Sequence, residues 1–539
     1  MKRRDFIKLS STASAGFLLP LDVMGMLKKF NIESCPNNSN KKLVLIQLQG
    51  ANDGLNTLIP INQYDLYSTL RPTIKISNSG ANGFIPLDNT LYIENQIGLH
   101  PSLTGFKNLY DSGLMRIIQG VGYPKQDKSH FKSTDLWFTG GDGTQLNNTF
   151  GTGWMARFLE NNYSQLINSN FPLGIQLGSS DNSLGFHSVE HQTLSMNLNN
   201  QDLNGYYSIV NGLSGDAPST IPNSEYGDLL RFILENDKKT NTYANKITSS
   251  FNTGINTTTY PNTSIANQLK TVAKLISGGL ETKIYLVKIG SFDTHDNQVV
   301  EGSTHTGSHA KLLGEVSDAV KVFFADMASQ NKQNEIMGIT FSEFGRKIAE
   351  NGSLGTDHGE VAPMFVFGGA VNPGISGTNI NLTEATLANN YQVKTVQYDY
   401  RQVFSTVIQD WLGVNNTILD ATFFDKMENK KFSTLKIPNL INEQNLVTKN
   451  CYNNTLVTPD NDFIVYPNPA ANVIYVNAKE QKINSIELFD ITGKLLKQWK
   501  FNMYQSKITL DLDYYTDGIY ILNIISENKI ESKKIIIKK

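Results

Sequence analysis

Leu43-Val44-Leu45-Ile46, followed a few residues later by Asn52-Asp53-Gly54, is the stretch on which the reading of this chain turns. A continuous β-rich apolar run reads as a strand buried on both faces of a parallel sheet. The pattern recurs: Ile284-Tyr285-Leu286-Val287 leads into Phe292-Asp293-Thr294-His295, and Ile339-Thr340-Phe341 leads into Ser342-Glu343-Phe344-Gly345-Arg346. A fourth cluster, Gly355-Thr356-Asp357-His358-Gly359, precedes the run Met364-Phe365-Val366-Phe367. Ligands of open α/β sheets bind outside the carboxyl ends of the strands. Carboxylates and imidazoles scattered through the sequence are therefore expected on one rim, where a mixed O/N set suits a divalent metal.

Working outward, further strands are expected over Arg116–Val121 and Pro172–Leu177. Helical spacing marks Ser264–Ser277 (Ile265, Leu269, Val272, Ile276), His309–Gln330 (Leu312, Val316, Ala319, Val320, Phe323) and Tyr400–Trp411 (Val403, Val407, Trp411). Strands alternating with helices over 41–435 predict an α/β domain with a doubly wound, mainly parallel sheet. The polar stretch 179–223 reads as an insertion or lid. From Phe463 onward short alternating segments recur, at Ile474–Val476, Ser485–Phe489, Lys507–Leu512, Ile519–Ile524 and Lys533–Ile537, divided by turns such as Thr492-Gly493-Lys494 and Thr516-Asp517-Gly518. They predict a small antiparallel β-sandwich over 461–539, with the Asn-rich 436–460 as linker.

At 539 residues the chain is too long for one core. Its formal net charge of -2 offers no broad attraction to nucleic acid. Only Cys35 and Cys451 are present, so a cysteine-rich metal site is excluded; the two either pair across the central region or stay idle thiols. Lys2-Arg3-Arg4-Asp5-Phe6-Ile7-Lys8, ahead of a weakly apolar stretch, resembles a twin-arginine export signal over 1–32. No other stretch is apolar over the roughly 18 residues that a membrane span needs.

The tail resembles the C-terminal sorting domain of proteins exported by the type IX secretion system. The matching residues are Val465-Tyr466-Pro467-Asn468-Pro469, Asn472, Leu488-Phe489-Asp490, Thr492-Gly493-Lys494 and Gly518-Ile519-Tyr520. That resemblance implies passage to the cell surface or release, with export machinery as the partner at both termini. The central region resembles the exported family called domain of unknown function 1501. The shared phrases are Gly50-Ala51-Asn52-Asp53-Gly54-Leu55-Asn56, Gly122-Tyr123-Pro124, Ser129-His130-Phe131, Phe292-Asp293-Thr294-His295, Ser342-Glu343-Phe344-Gly345-Arg346, Gly355-Thr356-Asp357-His358-Gly359 and Trp411-Leu412-Gly413.

Through that family the chain is similar to the alkaline phosphatase and sulfatase superfamily. Carried over, the resemblance makes Asp53, Asp293, His295, Glu343, Asp357 and His358 metal ligands, for one or two ions of zinc, manganese, iron or calcium. It makes Ser129 a nucleophile opening a helix. Beside it, His130 and Arg346 are expected to be catalytic, with Arg346 or Lys128 neutralising charge on the transferred group and Lys128 and Asn52 binding the substrate, an anionic ester that is small or carried on a glycan or lipid. The sequence departs from the superfamily where Glu343 is followed by Phe344 rather than histidine, and it lacks the Cys-x-Pro-x-Arg of sulfatases. A rival alignment makes Asp357-His358 the Asp-His pair. Plainer roles stand beside these. Asp53 forms a tight turn, Ser129 caps a helix and leaves the chemistry to His130, and Glu343 and Arg346 form an ion pair. His305 and His309 are expected to face solvent or cap. The function expected is an exported metal-dependent ester hydrolase; the alternative is a cell-surface binding protein that keeps the fold without a competent site.

Overall fold

The run at Leu43 forms a strand, β1 (Lys42–Leu48), whose seven residues are all buried. In this computed structural model the described residues are 40–141, 151–178, 184–189, 191, 194–198, 221, 224–393, 395–423, 432–442, 463–478, 483–490, 494–501, 507–526 and 530–539. The expected export signal, Cys35, Cys451, and most of the expected insertion and linker lie outside them. The chain divides into two compact units between Val447 and Thr448.

In the first unit β1 is joined by β2 (Met115–Gly122), β3 (Gly174–Leu177), β4 (Ser195–Leu198), β5 (Ile284–Ile289), β6 (Ile336–Phe341), β7 (Ala362–Phe367), β8 (Gly374–Ser376) and β9 (Tyr398–Asp399). Their order is β8-β2-β7-β6-β1-β5-β3-β4, with β9 also pairing β2. β1 runs parallel to β5 and β6, and β3 runs parallel to β4 and β5. β7 is the exception, antiparallel to both β2 and β6. This reversal explains why one acidic-histidine cluster precedes its strand while the others come after theirs: the start of a reversed strand lies at the same rim as its neighbours' ends.

Helices α1 (Thr104–Asp111), α2 (His130–Thr139), α3 (Ser264–Ser277), α4 (Ser308–Ser329) and α5 (Tyr400–Thr406) accompany the sheet. Residues along a strand alternate in face, and aromatic contacts show both faces covered. Phe106 of α1 meets Phe365 and Phe367 with ring centroids 4.8 and 4.9 Å apart. On the opposite face of β6, Phe341 stacks on Trp137 of α2 at 5.4 Å. The sheet is thus doubly wound and mainly parallel, as expected. The expected helix over Tyr400–Trp411 changes character after Thr406, where Val407–Trp411 widens into a π turn. The expected linker also begins too early. Ile437, Leu440 and Ile441 are buried in the first unit's core, and the Asn442 N–H donates to the Ala370 carbonyl at 2.8 Å.

The second unit holds β10 (Phe463–Tyr466), β11 (Val473–Ala478), β12 (Ile483–Asp490), β13 (Leu495–Lys500), β14 (Lys507–Asp511), β15 (Gly518–Ser526) and β16 (Ile530–Ile537). They form a three-stranded sheet, β10-β11-β14, and a four-stranded one, β13-β12-β15-β16, antiparallel throughout. Ile474, Val476, Ile486, Leu488, Leu510, Leu522 and Ile524 alternate inward and share one core. β13 was not expected, because as an edge strand it is mostly exposed and carries no apolar alternation to read.

Candidate metal centre

Backbone approaches that only glycine permits bring the strand ends together. Gly50, just past β1, has φ +115°, and a Cβ there would sit 2.4 Å from the Asp293 nitrogen. Beyond β6, residues 345–347 pair with 357–359. Arg346 and His358 face each other in an antiparallel bridge, and the Gly359 N–H donates to the Gly345 carbonyl at 2.8 Å. A Cβ on Gly359 would lie 2.1 Å from the Arg346 carbonyl carbon. His130 opens α2, the helix after β2.

These segments bring four side chains to one point. His358 Nε2 lies 3.1 Å from His130 Nε2, 2.9 Å from His295 Nε2 and 3.3 Å from Asp293 Oδ1. Asp293 Oδ1 is 3.1 Å from His295 Nε2, and Asp293 Oδ2 is 3.4 Å from His130 Nε2. Ligand atoms of His130, Asp293 and His358 all lie within 4.8 Å of one another. The other ring nitrogens decide the protonation. His358 Nδ1 faces the Lys128 carbonyl at 2.9 Å, and a carbonyl only accepts, so Nδ1 carries the hydrogen. His130 Nδ1 faces Glu343 Oε1 at 2.7 Å, and His295 Nδ1 faces Asp357 Oδ1 at 3.4 Å. In their neutral forms all three histidines therefore aim Nε2 lone pairs at one another and at a carboxylate. Of these atoms only Asp293 Oδ1 has a donor, Arg346; imidazole lone pairs this close repel unless a cation or a proton sits among them. Metal-ligating histidines usually donate their other ring nitrogen to a carboxylate or carbonyl, and all three have such a partner here.

The charges nearby fit such a cation. Arg346 donates to Asp293 Oδ1 at 2.6 Å, and Lys347 reaches Asp357 Oδ2 at 3.1 Å. Glu343 is fully buried; its Oε1 accepts from the Gly50 N–H at 2.8 Å, and its Oε2 has no hydrogen-bond partner among the described residues. With neutral imidazoles, three carboxylates against Arg346 and Lys347 leave one negative charge. Burial acts to raise the Asp293 pKa, but Arg346 and the histidines hold it below the ordinary carboxylate range. The hydrogen bond that His130 donates to Glu343 raises the His130 pKa, whereas burial lowers that of His358. Side-chain exposures of 28% for His130, 26% for His358 and 44% for Asp293 and His295 leave the point open to solvent.

Other expected site residues fall elsewhere. Asp53 does not join the cluster. It is fully buried, caps a short helix through the Leu55 N–H, and gives Oδ2 to Arg71 and Gln298, each at 2.6 Å. Asn52 is also buried, accepting from His309 Nε2 at 2.9 Å and bonding Thr57. The buried Arg346 guanidinium donates to the carbonyls of Gly50, Ala51, Phe292 and Thr356 as well as to Asp293. It pairs with Asp293 rather than Glu343 and works as a bracket for the loops. Glu343 and Asp357 stand behind His130 and His295 as their hydrogen-bond partners. Ser129 occupies the cap position of α2, but its side chain makes no capping hydrogen bond. Lys128 holds His358 through its carbonyl, while its ammonium is 3.8 Å from Glu360. His309 is buried, not solvent-facing. Sequence reasoning misses Arg71 because it belongs to no motif, and it reads His130 as a chemical group rather than a ligand.

Residues 260–418 match the family model described as protein of unknown function (DUF1501), and residues 464–538 match the secretion system C-terminal sorting domain. The sorting domain marks a chain exported to the cell surface or secreted. No curated protein matches the sequence. Among solved structures, the lipoteichoic acid synthase LtaP from Listeria monocytogenes is 11% identical over 72% of this chain and 75% of its own, with a TM-score of 0.31. A sulfatase from Pseudoalteromonas sp. is 11% identical over 89% of this chain and 83% of its own, at 0.31. Alkaline phosphatase from the Antarctic bacterium TAB5 is 10% identical over 62% of this chain and 94% of its own, at 0.25. Likeness this slight carries no argument about chemistry.

Proposed function

We propose that this exported chain is a metal-dependent hydrolase of phosphate or sulfate esters, with His130, Asp293, His295 and His358 as metal ligands and Ser129 as nucleophile. The supporting observation is the convergence of three Nε2 lone pairs and the Asp293 carboxylate on a solvent-open point. Three nitrogens and a carboxylate suit zinc, manganese or iron; calcium, which takes six to eight oxygens, fits this donor set poorly. Bound there, a divalent cation would supply Lewis-acid polarisation of an ester oxygen and acidify a nearby hydroxyl.

The chain's own groups supply the rest. Ser129 precedes a ligand and keeps its hydroxyl free of a capping bond. The first turn of α2 turns backbone N–H groups toward an incoming anion. The Ser129 oxygen attacks phosphorus or sulfur, the bond to the departing alcohol breaks with its electron pair, and the serine proton leaves through solvent to that alcohol. Water then attacks phosphorus or sulfur, the bond to the serine oxygen breaks, inorganic phosphate or sulfate leaves, and a proton from that water restores the hydroxyl. Arg346 and Glu343 hold Asp293 and His130 in place without touching substrate.

The test is elemental analysis of protein purified without chelator, together with turnover of 4-nitrophenyl phosphate and 4-nitrophenyl sulfate. The reading expects at least one equivalent of zinc, manganese or iron, lost in His358→Ala, and turnover lost in Ser129→Ala with metal retained. Absence of both metal and turnover overturns it in favour of a surface binding protein.

A further inference from the structure

Gln298 is fully buried behind the metal centre, and its side chain reaches both loops that carry ligands. Its Nε2 donates to Asp53 Oδ2 at 2.6 Å, and its Oε1 accepts from the Thr294 hydroxyl at 3.0 Å and the Thr356 hydroxyl at 2.9 Å. Thr294 stands between Asp293 and His295, and Thr356 precedes Asp357 and His358. The two loops also meet directly, since the Thr356 N–H donates to the Thr294 carbonyl at 3.2 Å. A single amide oxygen thus joins the Asp293–His295 loop to the His358 loop.

Asp53 decides which way that amide faces. Its Oδ2 also accepts from Arg71 at 2.6 Å, and a carboxylate in an ion pair only accepts. The NH2 end of Gln298 therefore turns to Asp53, and both lone pairs of Oε1 turn to the threonines. An asparagine at position 53 would still offer that NH2 an oxygen, so the orientation does not depend on the charge. Gln298 is itself fixed: its N–H donates to the Leu354 carbonyl at 3.0 Å, and its carbonyl accepts from the His309 N–H at 3.2 Å, at the start of α4. Thr294 and Thr356 are buried as well, away from water that could take over either bond. Packing alone would be served by valine, which has nearly the shape of threonine. The hydroxyl adds direction, and with it the point at which each loop stops.

We infer that Gln298 is a positioning residue of the metal centre: oriented by Asp53, its amide oxygen gathers the Thr294 and Thr356 hydroxyls and so sets the separation of the Asp293–His295 pair from His358. The inference rests on the metal reading of the site for its consequence but not for its geometry. The experiment uses the full-length chain as wild type, Thr294→Val, Thr294→Ser, Thr356→Val and Thr356→Ser; these spare Gln298, whose loss would leave Asp53 short of a donor and threaten folding. Zinc affinity is read by chelator competition, ligand geometry from the visible bands of the Co(II)-loaded protein, and stability from urea unfolding of the metal-free protein. Both valine variants are expected to bind zinc about tenfold more weakly and to shift the Co(II) bands, while both serine variants stay within about twofold of wild type and keep its bands. A lowered unfolding midpoint with wild-type zinc affinity and Co(II) bands in the valine variants overturns the inference, as does an equal loss in the serine variants. If the wild type binds neither zinc nor Co(II), the metal reading fails, and crystal structures of the five proteins decide the positioning. A gap between His295 Nε2 and His358 Nε2 that exceeds 2.9 Å by about 0.5 Å or more in the valine variants alone upholds it, and an unchanged gap overturns it.

Discussion

Replacing Arg71 by Met tests whether Asp53 belongs to the architecture or to the metal. Both partners are almost fully buried, with side-chain exposures of 0% and 1%, and the ion pair is 2.6 Å long. Arg71 also donates to Asn56 Oδ1 at 2.8 Å and to the carbonyls of Lys347 and Ile348, each at 2.7 Å. Removing one member of a buried pair leaves an uncompensated charge and costs about 3–5 kcal/mol. Orphaning the two carbonyls adds about 1–3 kcal/mol each where water cannot reach, whereas Asn56 Oδ1 keeps the Tyr67 hydroxyl as a donor at 2.8 Å. Arg71→Met is therefore expected to destabilise the first unit by at least about 4 kcal/mol in urea unfolding. Asp53→Asn is expected to cost about 3 kcal/mol, and the double variant less than the sum by about 1–3 kcal/mol, since the two share one network. Asp53→Asn should keep its metal in elemental analysis. A variant that unfolds at the wild-type urea concentration but has lost its metal would refute the assignment and return Asp53 to the ligand set.

Glu343→Gln removes the anion behind His130 and should weaken zinc affinity about 10–100-fold in chelator competition, with unchanged affinity counting against the tautomer argument. Burial pushes the His309 imidazole down to about 4 from 6.5. Above pH 6.5 both states are neutral there; between 6.5 and 4 the unfolded chain binds a proton that the folded one refuses, so stability falls as pH falls. The expected loss is roughly 3 kcal/mol, levelling off below about pH 4, and His309→Gln should flatten that part of the urea-midpoint profile. Gly359→Ala forces a methyl against the Arg346 backbone, 2.1 Å away. It should depress both the unfolding midpoint and metal content, and normal values for both would show that the loop adapts freely.

The sheet was legible because strands covered on both faces leave unbroken apolar runs, and Leu43, Ile284 and Ile339 each sit in one. The rim was legible for the same reason, since the residues just past such a run lie where ligands bind. The assignment of roles on that rim was harder to read. An aspartate that caps a helix and pairs with arginine looks, as a sequence, like one that holds a metal, and Asp53 is the former. Arg71, the residue that decides the matter, lies outside every recognisable phrase. His130 stands in a recognised motif, but its neighbour His358 is oriented by the carbonyl of Lys128, and backbone atoms leave no trace in side-chain identity. The edge strand at Leu495 escaped because strand patterning is legible only where one face is dry.

His130, the Asp293–His295 pair and His358 come from three places more than sixty positions apart along the polymer, and Arg346 ties their loops to the residues after β1. No fragment of the first unit that stops short of residue 358 owns the whole ligand set. On the proposed metal reading, a cation can be held by all four side chains only after the chain as far as residue 358 has folded.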